Sequence, residues 1–134
     1  MKVTIFFIGG LLSLTLLLGC GPKRDVGVGP IKNISLDEIQ LPLVNQGKTL
    51  FNSKCTMCHS IDQKLVGPAL GDVTKRREPE WIMNMMLNPD GMVKENEAAK
   101  SLLIEYNNVP MINQHLSEKE ARAILEYLRY IESK

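Results

Sequence analysis

Cys55-Thr56-Met57-Cys58-His59 is the stretch whose reading decides the fold of this chain. The pattern is C-x-x-C-H, the attachment signature of c-type haem. Each thiol adds to one of two vinyl groups on a haem edge. The histidine directly after the second cysteine falls beneath the porphyrin with a ring nitrogen aimed at the iron. The competing readings lack their remaining parts. Zinc wants four ligands, and the chain holds neither a second C-x-x-C nor an H-x-x-x-H. A thioredoxin-like dithiol needs a βαβ context, whereas the flanks here read as helical. A disulfide across two residues would be strained and would leave His59 without a role.

Working outward, the N-terminus reads as a targeting segment. Met1-Lys2 is followed by an uncharged apolar run from Val3 to Leu18, short for a membrane span. It ends Leu17-Leu18-Gly19-Cys20, which resembles a bacterial lipoprotein signal over residues 1–19. That resemblance implies cleavage before Cys20, acylation of Cys20 and attachment to the outer side of a membrane. Several acyl chains make a stable anchor where one would be marginal. An ordinary secreted protein and an uncleaved helix are the alternatives. The chain has three cysteines, an odd number for a disulfide framework. One lipidated and two thioether cysteines leave no thiol over, and both assignments require an extracytoplasmic compartment.

The 134 residues carry 16 Lys and Arg against 15 Asp and Glu. No basic stripe is present, which argues against nucleic acid as a partner. Without residues 1–19 the chain suffices for one small domain. Residues 20–41 contain the glycines and prolines of Gly21-Pro22 and Val26-Gly27-Val28-Gly29-Pro30 and read as a flexible, lipid-anchored tether. A segment of that length spans roughly 25 Å. Residues 42–134 form the folded domain.

Within the domain the pattern is helical throughout. Val44, Gly47, Leu50 and Phe51 share a face of a helix running from Leu41-Pro42 into Cys55. Gly47 predicts a close helix crossing. Leu65-Val66-Gly67-Pro68-Ala69-Leu70-Gly71 is a loop. Glu78-Pro79-Glu80 opens a helix carrying Trp81, Met83, Met85 and Met86, expected to stop at the turn Asn88-Pro89-Asp90-Gly91. A short helix over 96–106 turns Ala99, Leu102, Leu103 and Tyr106 inward. Ser117 and Glu120 form a capping box ahead of an apolar stripe of Ala121, Ile124, Leu125, Leu128 and Ile131. Glu118, Lys119, Arg122, Glu126 and Arg129 are expected outside that stripe.

This order of elements around C-x-x-C-H resembles the class I cytochrome c family over residues 42–132. The resemblance implies an all-α cytochrome c fold of about four to five short helices around one covalent haem c, with the first and last helices crossing. It implies Cys55 and Cys58 as attachment points, His59 as one iron ligand and a methionine before the last helix as the other. Met111 in Val109-Pro110-Met111-Ile112 matches, although many relatives place proline after the methionine and here Pro110 precedes it. Met92 and His115 are the rival ligands. Pro68 matches the family proline whose carbonyl receives the other ring nitrogen of the proximal histidine. Arg76, Arg77 and Trp81 are candidates to reach haem propionates.

Iron with both axial positions filled has no open site for substrate, so the expected work is one-electron transfer and not catalysis. The expected partners of this monomeric carrier are a membrane quinol-oxidising complex and a terminal oxidase or reductase, nitrous oxide reductase among them. Lys54, Lys64 and Lys75 are candidates for a docking patch. The alternative is a haem enzyme or gas sensor with a displaceable methionine, resembling a peroxidase.

Overall fold

The computed structural model describes residues 23–134, so the apolar run and Cys20 lie outside the described residues. Six α-helices and no strands are found among them, and none of the helices is long and apolar enough to cross a membrane. The all-α expectation holds, with one single-turn helix and one short helix beyond those the sequence pattern predicts.

α1, Leu41–Lys54, carries the predicted proline, Pro42, in its first turn and delivers the chain to Cys55. α6, Glu118–Glu132, crosses it. A Cβ on Gly47 would lie 1.9 Å from the Ala123 carbonyl oxygen, so only glycine lets the two backbones meet. Beside the crossing, the Phe51 and Tyr127 rings sit 5.4 Å apart in a tilted pair, a favoured aromatic geometry. The capping box opens α6 as predicted: the Ser117 backbone N–H donates to the Glu120 carboxylate at 2.8 Å, and the Ser117 hydroxyl accepts from the Glu120 N–H at 3.3 Å.

Between these helices lie α2, Val73–Arg76, α3, Pro79–Leu87, α4, Pro89–Glu95, and α5, Glu97–Glu105. The predicted stop after α3 is shorter than a turn. Asn88 alone separates α3 from α4. Pro89 cannot extend α3, yet its fixed φ suits the first position of a new helix. The Asn88 side chain accepts from Gly91 N–H to cap α4, and Asn96 caps α5 through Ala99 N–H.

The segment expected to be a flexible tether is instead packed against the domain from residue 23 onward. Val28, Ile31, Ile34 and Ile39 lie against the core. Fully buried Asn84 accepts from the Ile31 N–H and donates to the Val26 and Ile31 carbonyls at 2.8–2.9 Å. Asn88 Nδ2 donates to the Val28 carbonyl. Buried Glu80 accepts from the Ile34 N–H and from Arg24. This strap explains why α3 is buried on nearly every side: one face meets the core and the other meets residues 26–34.

Glu126 corrects a second expectation. It belongs to the polar side of α6 but is 2% exposed. The Arg122 Nε donates to it at 2.9 Å and the Arg129 Nη1 at 2.8 Å. The same arginines donate to the Ser35 and Asp37 carbonyls. The strap therefore lies across the polar stripe of α6 and takes Glu126 out of water.

Candidate haem site

The Cys55–His59 stretch continues the last turn of α1. The Cys55 N–H donates to Phe51 O, and the N–H groups of Cys58 and His59 both return to Cys55 O at 3.1 and 2.9 Å. This tight turn brings Cys55, Cys58 and His59 to the wall of one cavity of about 330 Å³. The thiols are unpaired and half-buried. Burial is the main cause that pushes the Cys55 thiol up to about 11, with the Lys54 charge opposing and the Cys58 thiol assisting. The group is thus held as a neutral thiol at ordinary pH. Among the described residues no three His, Cys, Asp or Glu side chains converge on a metal-sized point.

The loop after the motif orients the imidazole. His59 Nδ1 lies 2.9 Å from Pro68 O, so as donor it leaves Nε2 as the nitrogen free to bind iron. Such a carbonyl partner fixes the ring and raises its basicity. Gly67 was not singled out from sequence beyond its part in the turn, yet a Cβ there would lie 2.4 Å from His59 Cε1. Glycine is needed because the backbone runs along the ring edge. The loop is stitched back by Gly67 N–H to Cys58 O, Leu70 N–H to Ser60 O and Gly71 N–H to Ile61 O, each 2.9–3.0 Å.

The three candidates for second ligand lie in different places. Met111 lines the cavity together with Val109, Pro110 and Ile112. Met92 is fully buried away from it, its Sδ accepting from the Val28 N–H of the strap at 2.9 Å. His115 is exposed and outside the cavity. The loop bearing Met111 leaves α5 through Asn107 and Asn108, both at positive φ (59° and 58°), and approaches α6 through His115 at φ 51°. Asparagine tolerates this left-handed conformation better than most residues.

Apolar side chains complete the cavity: Phe51, Ile82, Met85, Met86, Leu102 and Ile124. Arg76, Arg77 and Trp81 also reach it. The Trp81 indole N–H is committed to Asn96 Oδ1 at 3.0 Å, so it is a wall and not a free donor. The Arg76 guanidinium is held by Asp72 and Ala69 O. Arg77 stacks 4.8 Å over the Trp81 ring. The three lysines expected in a docking patch are engaged within the molecule: Lys54 with Gln114 O, Lys64 with the Tyr106 ring and Lys75 with Glu132.

A mainly apolar cleft with two thiols and an oriented imidazole on one wall and a thioether at its lining fits a covalently held haem. The comparisons with known proteins agree. The family model for cytochrome c matches residues 44–132. Cytochrome c-551 of Stutzerimonas stutzeri is 30% identical over 99 residues, 67% of this chain and 81% of that one. Cytochrome c-551 of Azotobacter vinelandii is 31% identical over 83 residues, 61% of this chain and 93% of that one. The solved structure of a cytochrome c from Rhodothermus marinus shares 52% identity and superposes with a TM-score of 0.76, over 78% of this chain and 90% of that one. The turn at Cys55–His59, the cleft it lines and these relatives lead to one conclusion: the chain belongs to the cytochrome c family, an electron carrier with one haem c bound through Cys55 and Cys58.

Proposed function

We propose that this chain is a lipid-anchored carrier on the outer side of a membrane, in which His59 and Met111 would hold the haem iron. It moves electrons from a quinol-oxidising complex to a terminal oxidase or reductase. The observation that carries the ligand assignment is that His59 and Met111 line the same cavity, while Met92 and His115 do not. When bound, the haem supplies a one-electron ferric–ferrous couple. The His59 imidazole, held by Pro68 O, offers a basic nitrogen in one fixed orientation. The soft Met111 sulfur favours the ferrous state and raises the potential relative to a second histidine. The apolar lining disfavours the extra positive charge of the ferric state and acts in the same direction.

Partner docking is assigned to the rim of the cleft. Met57, Val66, Val109 and Ile112 border it and are 89%, 49%, 50% and 71% exposed. These four apolar side chains in water suit brief contact with another redox protein. The lysines are better read as braces within the molecule, given their partners.

The test is Met111→Ala, followed by visible spectra and a potentiometric titration. The red charge-transfer band of sulfur-bound ferric iron is expected to vanish and the potential to fall. An unchanged spectrum would refute Met111 as ligand. Carbon monoxide binding by the reduced wild-type protein at neutral pH would favour an enzyme or sensor with a displaceable methionine.

A further inference from the structure

The packed strap changes what an anchor at Cys20 would do. From Cys20 to Lys23 the chain has three peptide steps, at most about 11 Å when fully extended. Beyond that point the chain is fastened. Arg24 donates to Glu78 at 2.6 Å and to buried Glu80 at 2.9 Å. Asp25 accepts from Asn96 Nδ2 at 2.8 Å, and Asn96 in turn accepts from Trp81 of the haem cavity wall at 3.0 Å. Gly27, at φ 73°, crosses over the Met92 sulfur, which receives the next N–H. Two hydrogen bonds thus separate the cavity wall from a residue five positions after Cys20.

We infer that the strap turns the lipid anchor into a short, oriented mount: the face formed by Lys23, Arg24, Asp25, Glu78, Asn96 and Glu97 lies on the phospholipid headgroup layer. The inference rests on acylation of Cys20 as proposed above. A tether of about 20 free residues would let the domain tumble through roughly 25 Å; three residues do not. Arg24 is paired with Glu78 and Glu80, and exposed Lys23 is the strap cation beside the anchor that can meet a lipid phosphate. No hydrogen bond joins the strap to residues 55–70 or 107–116 among the described residues, so the apolar rim is built from other segments and stays free for a partner. The mount therefore selects partners whose electron-exchanging surface stands close to the same membrane.

The experiment uses the full acylated holo-protein on vesicles of phosphatidylethanolamine and phosphatidylglycerol. Its comparison is the same protein with a flexible Gly/Ser insert between Pro22 and Lys23. Amide hydrogen exchange is read at Lys23 and Arg24 and at the first-turn amides of α5, Glu97 and Ala98. First-turn amides have no acceptor inside their own helix and report directly on water access. The native spacing is expected to slow their exchange about tenfold relative to the insert variant, with residues 57–66 and 109–112 unchanged. Equal exchange in the two proteins, with mass spectrometry showing acylated Cys20, would overturn the mount and leave the anchor standing. Unmodified Cys20 in the protein isolated from membranes would overturn both.

Discussion

Two irregular segments of this molecule invert expectation. The strap over residues 23–40 has no helix and carries Gly27, Gly29 and Pro30, yet it is fastened along its length by Glu80, Asn84, Asn88, Arg122 and Arg129. The loop over residues 109–116 carries Met111, the second iron ligand proposed above. Its one hydrogen bond to α1 runs from Lys54 Nζ to Gln114 O, at 3.5 Å. Whether a segment without helix is held depends less on its own composition than on polar groups offered by the helices beneath it. A buried side chain that satisfies a passing backbone holds it more firmly than an exposed one, because the alternative is an unpaired polar group out of water.

The comparison can be broken most severely at Asn84. Asn84→Ala leaves two carbonyls and one N–H of the strap without their partner, and should cost about 3 kcal/mol. The check is urea unfolding of the holo-protein; a loss below a few tenths would mean that the strap is not fastened there. Next comes Glu126→Gln. Breaking a buried ion pair costs several kcal/mol, but Arg122 and Arg129 reach solvent, so about 2 kcal/mol is expected. The readout is a shift of the urea midpoint with unchanged slope.

The loop should behave differently. Lys54→Met keeps most of the stem and removes the charged donor, so global stability should fall by less than about 1 kcal/mol. The red band, however, should disappear at a lower urea concentration than the helical signal does. Coincident midpoints in both wild type and variant would show that the loop is as firmly tied as the strap. The smallest effect concerns the helix that follows the loop. Hydrogen bonds from the Ser117 N–H and hydroxyl hold the Glu120 carboxyl below its ordinary 4.5. A depressed value means a contribution present above that pH and lost as pH falls through the folded-state value. The stability difference between wild type and Ser117→Ala should be constant from neutrality to about pH 5 and shrink below about pH 4.

Much of the candidate site was legible because its parts are local. C-x-x-C-H closes within a turn, and the Ser117–Glu120 box closes within another. Gly47 announced a crossing because a missing side chain inside a helix costs stability unless something passes close by. Pro68 was readable only through family resemblance, and Gly67 hardly at all, since a G-P pair is common in loops and nothing local tells which side faces a ring. Asn96 carried a usable signal, as a polar residue ahead of a helix, but its bonds to Trp81 and Asp25 join residues far apart in sequence. Glu126 misled because its helical position is polar, and periodicity does not reveal that another segment covers a polar face.

By itself the sequence determined the haem attachment, the helical class and the entrance and apolar stripe of the last helix. Each depends on residues within a few positions of one another, where covalent geometry and helical periodicity leave little choice. Tertiary structure alone decided that Met111, and neither Met92 nor His115, lines the cavity, and that residues 23–40 bind the domain. Those outcomes depend on which distant groups meet and on which polar atoms would otherwise be buried without a partner.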